Sequence, residues 1–421
     1  MIALGLLLVS GAPAQPARWS AEAWIDDLDY LRLQIATRHG NPFHTADGQA
    51  LAEGFQKLRE SIPLRSDFEI AFGMQRLLAA LGDGHSWLGY AGQPFTPHFL
   101  FDAWEFSDGL YVTRAGPGYG KAAGARIIAI DGTPIEAVRE RLALYISRDN
   151  DMDLLRQIPR IIRLAPALKA AGIAAKPDRA AFLLDTGTGE PFEMTFSAVP
   201  PQRFRTWYKK AEVPNSTPLY RRKIDVNYWY DALPGEQAVY FQFNRFVEMP
   251  GAPFEDFVTE LFAFIDTRPE ACLIIDLRHN DGGWMNMIDL LLDPVKKRPR
   301  LGRKDNLYVI TGRETFSSAL MLCVRLERQT GVLFAGEPGR GKPNSYSEFG
   351  PFELPNTGLR GSLSTHYHQE GEPLDPRDRV DVDLPASLSY KDFRDGRDPA
   401  LEAVLAHWRG VRKSPPTDMP R

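Results

Sequence analysis

The chain has 421 residues, 43% hydrophobic and 25% charged, and 50 Lys plus Arg against 54 Asp plus Glu leave a formal charge of −4. That length calls for more than one core, and the balance excludes a disordered chain or a coiled coil as the main architecture. It also supplies no excess of basic residues of the kind a duplex-binding protein carries, so no nucleic-acid partner is expected.

Met1 to Val9 is an apolar run, followed by Ala12-Pro13-Ala14. Apolar run and small-residue site together have the pattern of a secretory signal peptide over residues 1–14, too short to span a bilayer. The expectation is an exported protein, periplasmic or extracellular. No later stretch reaches about 18 consecutive apolar residues, so no membrane span is expected. Two cysteines, Cys272 and Cys323, are too few for a disulfide framework or a four-cysteine zinc site, and both are read as buried.

Residues 15–92 read as a helical region. Ser20 caps a helix whose Trp24, Leu28, Leu31 and Ile35 share one face, and the helix stops at His39-Gly40-Asn41-Pro42. Leu51, Phe55, Leu58 and Ile62 mark a second helix. Ser66 and Glu69 form a capping box for a third, which runs to Leu81 and ends at Gly82. Asp83-Gly84-His85-Ser86 then makes a tight turn.

From residue 93 to 150 the pattern shifts to short strands, Gly109 to Thr113 and Ala125 to Ile130, with a turn at Asp131-Gly132 and a helix from Pro134 to Leu144. This β-rich module resembles a PDZ-like domain, a class that binds extended peptide ends by adding a strand. Residues 151–225 are mixed and carry no motif. From 226 to 412, strands at Ala238–Phe243, Ala271–Leu277 and Leu307–Thr311 alternate with helical stretches at Pro253–Phe264 and Ser317–Gln329, which predicts an α/β core.

Three segments of that core carry chemistry. Asp276-Leu-Arg-His-Asn-Asp-Gly-Gly283 follows a buried strand, and its paired glycines let the backbone turn sharply and aim N–H groups at an incoming oxygen. Thr315-Phe-Ser-Ser-Ala319 joins a strand to a helix, which places Ser317 where free N–H groups and the helix dipole favour developing negative charge. Gly336-Glu-Pro-Gly-Arg-Gly-Lys342 is a glycine-rich loop without the Walker pattern, and its lysine lies 25 positions after Ser317.

Together with Leu81-Gly-Asp-Gly-His-Ser86, these segments resemble the C-terminal-processing (tail-specific) serine peptidase family, on its branch with the tricorn core protease and the interphotoreceptor retinoid-binding protein. The resemblance implies a ClpP/crotonase-like core of ββα units with an inserted PDZ-like module. It implies a serine-type peptidase that needs no cofactor or metal and takes polypeptide substrates. By position, Ser317 matches the nucleophile, and the amides of Gly282 or Gly283 and of Ser318 match the oxyanion donors. Two residues match the general base: Lys342, as in a Ser–Lys dyad, and His85, as in tricorn-like members. His85 is favoured, since an imidazole titrates near working pH whereas a lysine must first be made neutral. The acid that orients it would lie nearer the C-terminus, with Glu370, Glu372 and Asp375 as candidates. One position departs from the family pattern: Leu320 stands where a Glu commonly follows the nucleophile.

His366-Tyr-His368 with Glu370 has the types of a metal site, but surface strand residues explain the same letters. The run from Lys296 to Lys304 reads as a solvated basic loop, and His39 and His44 as turn and packing residues. Two rival functions share the fold: a binding protein that holds a peptide or apolar ligand without cutting it, and a crotonase-type acyl-CoA enzyme. An exported N-terminus speaks against the latter.

Overall fold

The computed structural model describes residues 19–91, 96–208 and 217–413, and the candidate signal segment lies outside them. Three helices come first, α1 (Ala21–Arg38), α2 (Gly48–Ser61) and α3 (Asp67–Ala79), then a two-residue strand β1 (Trp87–Leu88). Ser20 accepts from the Ala23 N–H, and Ser66 and Glu69 form the reciprocal capping box that their spacing predicts. Trp24, Leu28, Leu31 and Ile35 are all buried, so the 3.6-residue spacing gave the packed face of α1 correctly.

Residues 101–208 build an antiparallel unit: β2 (Phe101–Phe106), β3 (Gly109–Ala115), β4 (Arg126–Ile130), β5 (Thr133–Pro134), α4 (Ile135–Ala143), α5 (Met152–Ile161), α6 (Ala165–Ala170), β6 (Arg179–Asp185), β7 (Phe192–Ser197) and α7 (Pro201–Tyr208). Its sheet runs β2-β3-β4-β6-β7, with β5 paired to β4. Thus β6 and β7, in the stretch without a sequence motif, complete the sheet that β2 begins. Phe99, Phe101, Phe182 and Phe196 pack edge-to-face and tilted inside it.

The second half contains β8 (Tyr228–Leu233), β9 (Ala238–Phe243), α8 (Phe254–Asp266), β10 (Cys272–Asp276), α9 (Met287–Lys296), β11 (Leu307–Thr311), α10 (Ser318–Gln329) and β12 (Leu333–Gly336). After them come β13 (Asn344–Ser347), β14 (Gly350–Glu353), β15 (Arg360–Leu363), β16 (His366–Gln369), β17 (Leu384–Pro385), α11 (Tyr390–Arg394) and α12 (Pro399–Lys413). The main sheet has the order β17-β12-β11-β10-β9-β8, parallel except for the antiparallel edge strand β8. Every residue of β9, β10 and β11 is buried, because both faces are covered. Val239, Phe241, Leu273, Ile275 and Val309 face α8, α9 and α10, whereas Tyr240, Ile274, Tyr308 and Ile310 face α12. Cys272 and Cys323 are free and buried, in the clusters on opposite faces of this sheet.

The basic run is less solvated than its letters suggest. Lys296 closes α9, Arg298 makes two bonds of 2.7 and 2.6 Å to Asp266 at the end of α8, and Arg300 caps the Ala271 carbonyl.

What fixes the site is a seam between distant parts of the chain. Strand β1 pairs with β15, Trp87 opposite Ser362, and β15 also pairs with β14. The turn after α3 is therefore held against residues nearly 280 positions later.

Candidate active site

Parallel strands β10 and β11 are neighbours, and both end at the same edge of the sheet, where ligand sites of open parallel sheets form. The loop after β10 carries Asn280 to Gly283, and the loop after β11 carries Thr315 to Ser317. Thr315 locks them together: its hydroxyl donates to the Leu277 carbonyl at 2.8 Å and accepts from the Gly312 N–H at 3.1 Å. The Phe316 N–H donates to the Asn280 carbonyl at 3.0 Å. Arg278 braces the same turn, bonding Asp276 in β10 and Asp398 just before α12.

Ser317 stands at the N-terminus of α10 with φ 51° and ψ −127°, a conformation that L-residues with a side chain rarely hold. A serine on a sharp strand-to-helix turn presents its hydroxyl away from the sheet, the geometry of a nucleophile elbow. Gly282 lies so close that a Cβ there would sit 2.7 Å from the Ser317 Cβ. Gly283 has φ 136°, and a Cβ on it would meet the Phe246 carbonyl oxygen at 2.2 Å, so no other residue fits.

Of the three amides matched to oxyanion donors, that of Gly282 already donates to Asn280 Oδ1 at 3.0 Å. The Gly283 and Ser318 amides have no acceptor among the described residues, and Ser318 is the first residue of its helix, where orphan N–H groups belong. The Ser318 hydroxyl donates to the Gly283 carbonyl at 2.8 Å, which fixes one turn against the other.

His85 arrives from the helical side. Asp83 is fully buried, and its carboxylate accepts from the His85 N–H at 3.0 Å, the Ser86 N–H at 2.7 Å and the Ser364 hydroxyl at 2.5 Å. His39 Nε2 lies 3.0 Å from the other oxygen, so His39, read from the sequence as a turn residue, also supports the His85 turn. Asp83 thus holds the backbone of the turn and leaves the His85 ring alone. That ring stacks on Phe316 at 4.3 Å, and both its nitrogens are buried without a hydrogen-bond partner. Burial pushes the imidazole down to about 4, opposed by the Asp83 charge and reinforced by Arg340 and His368.

Lys342 reaches the same place from the glycine-rich loop. It is half-buried, and no carboxylate lies within ion-pair distance of its ammonium among the described residues. The loop is clamped by Asn150, whose Nδ2 donates to the carbonyls of Gly339, Gly341 and Asp378 at 3.1, 3.2 and 2.9 Å. Arg340 packs over Phe316 at 3.7 Å and pairs with buried Asp153 at 3.2 Å. Leu320, the departure from the family pattern, is buried beneath this loop, where a Cβ on Gly341 would meet it at 2.5 Å. An apolar contact occupies the place that a Glu would otherwise take.

Ser317, His85 and Lys342 line one enclosure with Asp149, Phe316, Leu320 and Glu370. Its volume is about 20 Å³, room for a single water. The candidate acids fare differently. Glu370 lines the enclosure, but Arg325 holds both its oxygens, at 2.7 and 3.1 Å. Glu372 pairs with Arg328 and Asp375 with Arg377, and neither lines the enclosure. Asp149 and Asn150 had no part in the sequence reading, and Arg340 entered only as a letter of its loop, since the contacts of Asn150 and Arg340 span more than 180 positions and leave no local pattern. A roomier cavity, about 530 Å³ between α2 and α3, contains none of these groups.

No protein-family model matches the sequence, and no curated protein does. Solved structures do match. Mature CPAF complexed with lactacystin aligns over 93% of this chain and 98% of its own, at TM-score 0.61 and 13% identity. The chain has the fold of CPAF. The photosystem II C-terminal processing protease (TM-score 0.40, 15% identity, 91% of this chain and 96% of that one) and the tricorn protease (0.46, 14%, 93% and 37%) also align.

Proposed function

We propose that this chain is a serine peptidase of the C-terminal-processing type, hydrolysing polypeptides through an acyl-enzyme on Ser317. The observation that carries the reading is the backbone of Ser317, held at positive φ beside two unengaged amides, with His85 and Lys342 in the same enclosure. The CPAF-like fold supports it.

In this reading Ser317 Oγ attacks the peptide carbonyl while His85 takes its proton. The Gly283 and Ser318 amides hold the resulting oxyanion, each worth about 3 kcal/mol of barrier. His85 then returns the proton to the leaving amine, and water releases the acyl group. His85 is neutral at neutral pH and so free to accept a proton, although burial sets it at about 4 and not near working pH, the ground on which the sequence favoured it over Lys342. Lys342 then steadies negative charge in the enclosure. The antiparallel unit of residues 101–208, wider than the 93–150 expected from the sequence, serves as the PDZ-like module, residues 226–412 as the ClpP/crotonase-like core, and the protein works outside the cytoplasm.

The test is incubation with an unfolded protein such as casein, beside Ser317→Ala, with fragments followed by mass spectrometry. Cleavage by the wild type alone establishes the peptidase. Silence from a folded wild type favours a protein that binds without cutting, a reading that draws on the narrow enclosure, and lactacystin binding would then be measured. Loss of cleavage in His85→Ala, with a remnant in Lys342→Ala, assigns the base to His85, and the reverse pattern assigns it to Lys342.

A further inference from the structure

Within the enclosure around Ser317, three residues carry buried polar atoms without partners: His85, through both ring nitrogens, Asp149, through Oδ2, and Ser347, through its hydroxyl oxygen. A buried carboxyl oxygen or imidazole nitrogen left without a hydrogen bond is costly, so His85 and Asp149 call for a partner that enters the enclosure. We infer that Asp149 is the positioning residue of His85, joined to its ring through one water held in the enclosure. This assignment rests on the peptidase reading and deepens it.

Every other carboxyl near His85 is committed elsewhere. Asp83 is saturated by His39, Ser364 and two backbone amides. Both oxygens of Glu370 belong to Arg325. Asp149 and Glu370 are the two acids that line the enclosure, and Asp149 alone of these two keeps an oxygen free. The available volume, about 20 Å³, suits one water and nothing larger.

The neighbours of Asp149 are tied down on both sides. Ser147 donates to the Ser86 carbonyl in the His85 turn and accepts from Gln75 Nε2 at 3.0 Å. Asn150 clamps the glycine-rich loop. Between these anchors the Asp149 carboxyl comes against Gly84: a Cβ there would lie 2.9 Å from Oδ2. The segment between α4 and α5 therefore delivers a carboxyl to the back of the His85 turn.

Asp149 is 8% exposed. It is surrounded by Asp83, Gly84 and His85 of the turn, Asp153 of α5, Phe316 and Ser317, Arg340 and Lys342 of the loop, His368 of β16, and Glu370 just after it. Burial, with the Asp83 and Asp153 charges, pushes its carboxyl up to about 8, opposed by Lys342 and the Gly84 amide. As His85 takes the Ser317 proton, its other N–H donates to the water and the water donates to the Asp149 carboxylate. The proton stays on His85 until the leaving amine receives it. An ionised Asp149 makes this imidazolium more stable, so kcat/KM should rise as pH passes through about 8.

Asp149→Asn tests the link, since a neutral amide of the same shape resembles the protonated acid and should fold. We expect kcat/KM on a cleaved peptide to fall about 100-fold above pH 8, where the wild-type carboxyl is ionised, to change little below it, and the rise near pH 8 to vanish. In ring-labelled NMR, the His85 resonances of the wild type should show an inflection near pH 8 that Asp149→Asn lacks. Gly84→Ala, whose Cβ would press on the carboxyl and on the Phe316 ring alike while keeping the acid, should shift that inflection without abolishing it. Lys342→Ala should raise it, because it removes the cation that favours the carboxylate. Identical His85 titrations in wild type and Asp149→Asn, or an unchanged pH–rate profile, would overturn the assignment. The NMR arm needs no turnover, so its failure sinks Asp149 alone, whereas a folded wild type that cleaves nothing sinks the peptidase reading.

Discussion

The two walls of the candidate site are built on opposite plans. On the sheet side, the loops after β10 and β11 are nearly self-contained: the side chains of Thr315, Asn280 and Ser318 bond backbone groups within a few dozen positions. On the helical side, the His85 turn is held by Ser364, the glycine-rich loop by Asn150, and the ring itself by nothing but stacking on Phe316. The rigid wall carries the proposed nucleophile, Ser317, and the unengaged amides, which such a reaction needs aimed before it begins. The other wall carries groups that exchange protons and keep unpaired atoms. In the proposed peptidase, catalytic geometry would thus be stored in local turns, and proton chemistry in long-range contacts.

The sharpest way to break this division is Ser317→Ala. Cleavage should drop by about 10⁶-fold while His85 still titrates normally by NMR, since the proton-handling wall is untouched. Gly283→Ala comes next. Its Cβ would strike the Phe246 carbonyl, so the rigid wall should shift, with cleavage falling about 10²- to 10³-fold and a lower Tm.

A third change addresses the long-range wall. Asn150→Ala leaves three carbonyl oxygens of the loop and of Asp378 without their donor, and urea unfolding should show a loss of about 1–3 kcal/mol. If cleavage survives that loss with Lys342 displaced, the loop is scaffolding rather than chemistry.

The fourth effect is a slope of stability against pH. Asp149 is raised from an unfolded value of about 3.9 to about 8, so its contribution is full at low pH and lost as pH rises to about 8. His85 is lowered from about 6.5 to about 4, so its contribution is present above 6.5 and lost as pH falls to about 4. From these two groups alone, the slopes oppose below about 6.5 and only the Asp149 loss remains between there and about 8. Tm should decline across that upper window, and Asp149→Asn should flatten the decline. The smallest effect is Ser66→Ala, far from the site, which should cost about 1 kcal/mol through the lost cap of α3 and leave cleavage unchanged.

Legibility followed range. The α1 face, the Ser66 box, the buried strands β10 and β11 and the start of α10 were readable because each is written in residues three or four apart, or in one apolar run. β6 and β7 were not, since their alternation becomes informative only when β4 supplies the partner strand. Within the site, Ser317, Gly282, Gly283, His85 and Lys342 stood out through short motifs. The sequence alone did not show that Gly282 spends its amide on Asn280, or that Arg328 and Arg377 occupy Glu372 and Asp375.

What the sequence by itself determined is therefore the set of local devices: caps, apolar periods and the tight turns that place Ser317 between a strand and a helix. Hydrogen bonds and sterics among near neighbours decide those, and near neighbours are visible in a linear text. What only the tertiary structure decided is which ionisable groups lose water together. A carboxyl, an imidazole and a lysine become one chemical unit when burial removes the solvent between them, and Asp149, His85 and Lys342 reach that condition from three separate segments.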